Sequence, residues 1–176
     1  MFKRILACLD GSRFAEQILP YVVEEARCFA SNVVLLQVIK MPRLFYASSV
    51  PIQPALSIPP TLTEEQIGAE ETTAKSYLNS VALRLRETGL DVDCVTLIAR
   101  LGGTIGDAII SYAAANGIDL IAMATHGYTG LKRLVFGSIA DFVVKNSTVP
   151  VLVIKPQDII AQRHPPSKAR EKTVDA

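Results

Sequence analysis

The 176-residue chain is 49% apolar, enough to fill the core of one domain of ordinary size. Its 18 basic and 17 acidic side chains are interspersed and leave a formal charge of +1, so no broad field attracts nucleic acid or an anionic membrane. No run approaches the roughly 18 apolar residues of a membrane span, and Phe2-Lys3-Arg4 followed only by Ile5 to Leu9 is too short for a secretory leader, so a cytoplasmic protein is expected.

Ile5 to Leu9 is a short apolar run closed by Asp10-Gly11-Ser12. Beyond it the apolar spacing changes to Phe14, Ile18, Val22 and Ala26, which predicts strand, turn and helix with Ser12 as N-cap. Pro20 falls inside that helix, where it removes the bond to the Glu16 carbonyl and should bend the axis. Val33 to Ile39 is nearly continuous in apolar character and predicts a parallel strand covered on both faces. Residues 40–60 then hold five of the ten prolines and predict a long loop. Thr61-Leu62-Thr63-Glu64 has capping-box spacing and opens a long helix that Gly89 stops.

Val92 to Ile98 reads as the third strand. Gly102-Gly103-Thr104 turns into a helix carrying Ile105, Ile109, Tyr112 and Ala113, which Asn116-Gly117 ends. Leu120 to Ala124 is the fourth strand. Ser138-Ile139-Ala140-Asp141 again has capping-box-like spacing, so Ser138 is expected to open a helix that runs to about Lys145, with Asp141 complementing its dipole. Val149 to Ile154 is the fifth strand, and Pro150 near its start suits an edge. The polar stretch after Lys155 reads as a tail, giving a domain over 1–156 and a tail over 157–176. Cys8, Cys28 and Cys94 cannot all pair and lack C-x-x-C spacing, so they read as reduced core residues. Two histidines, His126 and His164, form no zinc-type cluster.

Five strands interleaved with four helices predict an α/β fold, a five-stranded parallel doubly wound sheet of Rossmann-like type. Ligands of such sheets sit beyond the carboxyl ends of the strands, where the loops after strands one and four meet. Asp10 can accept from a ribose hydroxyl or hold a divalent ion, its plainer role being to support the turn that Ser12 caps. In the second loop Ala124-Thr125-His126-Gly127 is followed by nine residues and Gly137-Ser138. The glycines allow close backbone approach, and the Ser138 hydroxyl with the first helical N–H groups can donate to phosphate; the plainer alternative is a helix-opening turn. No nucleophile or carboxylate adjoins His126 in sequence, so it reads as orienting the loop by a hydrogen bond and not as a general base. Lys132 and Arg133 reach terminal phosphates or stand as solvated surface. The chain lacks the phosphate-loop G-x-x-x-x-G-K-[ST], the dinucleotide G-x-G-x-x-G after its first strand, and a G-x-S-x-G elbow.

From Met1 to Pro156 this pattern resembles the universal stress protein family. The resemblance rests on Lys3-Arg4-Ile5-Leu6 with Asp10-Gly11-Ser12, on Leu35-Leu36-Gln37-Val38, on Asp119 to Gly127, on Gly137-Ser138 and on Val149 to Ile154. ATP-binding members resemble one another in G-x-x-G-x(9)-G-[ST]; here Gly127, the spacer, Gly137 and Ser138 match, and Ala124 stands at the first glycine. The resemblance implies strand order 3-2-1-4-5, an adenine nucleotide alpha hydrolase-like architecture, and ATP, AMP or ADP as ligand with Mg2+ or Mn2+ beside its phosphates. It implies Asp10 near ribose and metal, with Leu9 and Ser12 beside it, and Val38 meeting adenine through its backbone. Met123 and Ala124 would line base and sugar, and Thr125, His126, Gly127, Gly137, Ser138 and Ile139 would surround the phosphates.

The resemblance also implies a homodimer paired through the last strand, Val149 to Ile154. An exposed apolar edge invites uncontrolled pairing, and two-fold symmetry buries it; the plainer alternative is a tail folded over that edge. The expected function is a cytosolic ATP-binding stress-response and signalling module whose ligand state biases residues 40–60 and an interaction with an unknown protein partner. No residue is assigned as catalytic, and weak ATP hydrolysis is the most that is expected. The alternatives are a slow ATPase or nucleotidyl transferase, and a nucleotide-free interaction module.

Overall fold

Apolar side chains on both faces of the two central strands make a sheet sandwiched between helices the only arrangement that keeps them from water. The computed structural model describes residues 1–40, 64–99, 102–125 and 137–156. In chain order these form β1 (Arg4–Leu9), a 3-10 turn (Ala15–Ile18), α1 (Leu19–Phe29), β2 (Asn32–Ile39), α2 (Glu64–Arg86), β3 (Val92–Ile98), α3 (Ile105–Ala115), β4 (Leu120–Ala124), α4 (Ser138–Asn146) and β5 (Val151–Ile154). The five strands are parallel in the order β3-β2-β1-β4-β5, which is the expected doubly wound sheet.

Alternation along each strand divides the core in two. Ile5, Ala7, Val33 and Leu35 face Val22 and Ala26 of α1 and Leu78, Val81 and Leu85 of α2. Leu6, Val34, Leu36 and Ile121 face Ile109 and Ala113 of α3 and Ala140 and Val143 of α4. Each fully buried Leu, Ile or Val contributes roughly 1.5–3 kcal/mol. At the opposite end of the strands from the crossovers that follow them, Asp119 Oδ2 accepts from the backbone N–H groups of Lys3 (2.8 Å) and Arg4 (3.0 Å), and these bonds hold its carboxyl below the usual range. Because β1 pairs with β2 on one side and β4 on the other, the chain leaves β1 and β4 in diverging directions and opens a crevice between them.

The helix starts depart from expectation. The Ser12 hydroxyl accepts from the Ala15 N–H (3.1 Å) at the first residue of the 3-10 turn, whose N-cap is Phe14, so Ser12 does not cap the long helix. Leu19 then donates to the Glu16 carbonyl, closing a 3-10 bond that needs nothing from Pro20. Pro20 thereby falls in the first turn of α1, where a missing N–H has no partner to lose and a fixed φ suits the helix. The interior position expected for this proline is therefore a first-turn position, which gives no cause for a bend. In α4 the cap is Gly137, not Ser138: the Gly137 N–H donates to the Thr125 carbonyl (2.8 Å), which holds Gly137 outside the helix and makes Ser138 the first helical residue. The expected capping box at 61–64 lies mostly outside the described residues, whereas Thr104 and Asp107 form a complete one at α3.

The fifth strand begins at Val151, two residues later than expected, because Pro150 has no N–H to offer a ladder; its carbonyl still accepts from Ile121 (3.0 Å). The cysteines also differ from the uniform core placement expected: Cys8 and Cys94 are half-buried, and Cys28 is exposed on α1. Among the described residues no helix is long and apolar enough to cross a membrane. Residues 41–60 of the expected loop and the tail over 157–176 lie outside the described residues.

Candidate functional site

At the carboxyl ends of β1, β2 and β4 the sheet opens into a cleft of about 370 Å³ walled by α3 and α4. Its floor is Cys8, Leu9 and Asp10 from the end of β1 with Leu36 and Val38 from β2. Met123, Ala124 and Thr125 enter from β4, and Gly137, Ser138 and Ile139 from the start of α4. Small residues at these strand ends leave room that larger side chains would occupy.

Two features give the cleft chemical direction. On one side Leu36, Val38, Ile105, Ile109 and Met123 form an apolar wall that suits a flat aromatic ring. On the other, the N-terminal turn of α4 brings its positive dipole end and unsatisfied N–H groups to the rim. The Ser138 hydroxyl does not cap its helix, so it remains a donor at this rim. Thr125 joins the two parts: its N–H donates to the Ile154 carbonyl (2.8 Å) and its carbonyl accepts from Gly137 (2.8 Å), fixing the end of β4 against both β5 and the opening of α4.

Asp10 is the single carboxylate among the described lining residues. Its Oδ1 accepts from the Ser12 N–H (2.9 Å) across Gly11, whose φ of +81° only glycine adopts without strain. Asp10 therefore does support the turn, and its second oxygen is left as an acceptor beside the cleft. Burial pushes the Cys8 thiol up to about 12, so the floor beside Asp10 is uncharged. No group of three His, Cys, Asp or Glu side chains able to hold a metal ion occurs among the described residues. Asp10 offers one ligand at most, a donor set that fits a cation carried in on phosphate oxygens and not one held by the protein alone.

Of the residues singled out from sequence, the structure brings Leu9, Asp10, Val38, Met123, Ala124, Thr125, Gly137, Ser138 and Ile139 to one cleft. Ser12 is buried nearby, but its hydroxyl is engaged at the 3-10 turn and it does not line the cleft. His126 and Gly127, with Lys132 and Arg133, lie outside the described residues. Sequence reasoning missed Cys8, Ala15, Leu36, Ile105, Ile109 and Ala140. The i, i+4 spacing of Ile105 and Ile109 marks one helix face, but core and cleft faces share that signal.

The model of the universal stress protein family matches residues 1–155. The chain is 28% identical over 159 residues to universal stress protein MJ0577 of Methanocaldococcus jannaschii, covering 88% of this chain and 96% of that protein. The solved structure of MJ0577 superposes with a TM-score of 0.73, covering 90% of this chain and 99% of that one. A universal stress protein solved in complex with cAMP gives a TM-score of 0.60 at 14% identity, covering 89% of this chain and 98% of that one. One from Archaeoglobus fulgidus in complex with dAMP gives 0.57 at 19%, covering 88% and 98%. At these identities the last two show a shared fold.

Proposed function

Because the chain belongs to the universal stress protein family, we propose that its cleft binds an adenine nucleotide, ATP foremost, and that the protein is a cytoplasmic, nucleotide-dependent stress-response module. The observation that carries this reading is the N-terminus of α4, with the Ser138 hydroxyl free of capping, set across one cleft from an apolar wall. An anion binder alone needs no such wall, and a purely apolar pocket needs no helix end. The cAMP and dAMP complexes of proteins with this fold support the same ligand class.

In this reading adenine lies against Val38 and Met123, with Leu9 and Ala124 beside base and sugar. Asp10 accepts from the ribose and supplies one ligand to Mg2+ or Mn2+ accompanying the phosphates. Thr125, Gly137, Ser138 and Ile139 surround the phosphates, joined by His126 and Gly127. The described lining residues include one carboxylate and no base paired with a nucleophile, which favours binding over turnover. A homodimer through β5 completes the proposal.

Calorimetric titration with MgATP tests it. Ser138→Asp places a carboxylate in the first turn of α4, where it favours the helix dipole and so keeps the fold, yet repels phosphate. Affinity should fall at least about tenfold, roughly 1.4 kcal/mol. Wild-type protein that gives no heat with millimolar ATP would refute the nucleotide reading.

A further inference from the structure

Gly106 is the second residue of α3 and is buried against α4. A Cβ built there would lie 2.4 Å from Cδ1 of the Phe142 ring and 3.1 Å from its Cγ. Carbon atoms do not settle closer than about 3.5 Å, so either the ring or the helix carrying it would have to move. Gly106 is not among the glycines with positive φ, so what this position demands is space and not backbone freedom. Alanine would otherwise be the better helix former here. The glycine is a notch cut for the Phe142 ring.

That notch lies directly behind the cleft. Ile105 and Ile109, the neighbours of Gly106 on α3, line one wall, and Ser138 and Ile139 line the rim on α4. Phe142 stands four residues after Ser138 and therefore on the same helix face one turn on. A methyl group at position 106 that pushes α4 back through this ring would carry with it the turn that bears the Ser138 hydroxyl and the free N–H groups.

We infer that Gly106 and Phe142 form a positioning contact that sets the separation of α3 and α4, and with it the width of the cleft and the aim of the α4 N-terminus. The consequence for ligand affinity rests on the nucleotide reading above; the geometric consequence does not. Because the contact is steric, a smaller side chain at position 142 compensates for a larger one at position 106.

The test compares the full-length wild type with Gly106→Ala, Phe142→Leu and the double variant. Backbone amide shifts of Ser138 and Ile139 are read by NMR without ligand, and MgATP affinity is read by calorimetry. Gly106→Ala should move both amides and weaken ATP roughly tenfold, and the double variant should bring the amide shifts back to those of Phe142→Leu and the ATP affinity to within about threefold of wild type. Unchanged amides in Gly106→Ala, or losses in the double variant that simply add, would overturn the inference. If Gly106→Ala does not fold, recovery of a folded protein with amides like those of Phe142→Leu in the double variant supports it, and an unfolded double variant overturns it. If the wild type binds no ATP, the nucleotide reading fails while the amide shifts still decide the positioning contact.

Discussion

Cys8 and Cys28 are equivalent in the sequence and opposed in the structure. Cys8 is the penultimate residue of β1 on the cleft floor, where burial pushes its thiol up to about 12, and Cys28 lies exposed on α1. A thiol pushed that far up stays protonated near neutral pH, and the thiolate is the reactive form. Iodoacetamide followed by peptide mapping should therefore label Cys28 well before Cys8 in the native protein, and both alike after unfolding. Equal labelling of both in the native protein would contradict the burial of the cleft floor. The same local environments explain what was legible at single residues. Asp10, Ala124 and Gly137 announce themselves because small and acidic residues at strand ends rarely serve a core. Ser12 does not cap the long helix, and Ser138 opens α4 as expected without capping it, because a single backbone bond from Gly137 to the Thr125 carbonyl makes Gly137 the cap.

Among the elements, α3 carries the most complete local signal. The Thr104 hydroxyl accepts from the Asp107 N–H (3.1 Å), and Asp107 accepts from the Thr104 N–H (2.9 Å). Thr104→Ala should lower stability by about 1 kcal/mol, read as a fall in denaturant midpoint at unchanged slope. The hydrogen bonds from the Thr104 hydroxyl and N–H hold the Asp107 carboxyl below its usual range. A carboxyl depressed in the folded state stabilises above its unfolded pKa of about 4, and that contribution is lost as pH falls through the folded value. The gap between wild type and Thr104→Ala should accordingly be full near neutrality and narrow in acid; a gap independent of pH would remove Asp107 from the cap. The α1 region shows the converse, since the 3-10 turn that rescues Pro20 depends on Ser12, Glu16 and Leu19 acting together. Residue preferences taken one at a time gave no sign of it.

For the molecule as a whole, β5 is an edge strand whose Val151 and Val153 pack on one core cluster and Leu152 and Ile154 on the other. Its outer backbone groups have no strand partner among the described residues. The homodimer proposed through this edge predicts that sedimentation equilibrium gives twice the monomer mass. Val153→Lys, placing a charge in the paired strand, should shift the protein to monomer; because Val153 also packs on the core, the masses are compared at a temperature where circular dichroism shows the variant folded. A wild-type monomer would refute the homodimer, and a dimer indifferent to this substitution would place its interface elsewhere.

The sequence by itself determined the five strands, the four helices and the β1 and β4 ends that flank the crevice, because apolar periodicity and strand-end small residues are properties of neighbours along the chain. Only the tertiary structure decided which helices wall the cleft, how far apart they stand, and which hydroxyls are left free. Those depend on contacts such as Gly106 with Phe142 and Gly137 with Thr125, between residues remote in sequence, and no local pattern encodes the distance between two packed helices.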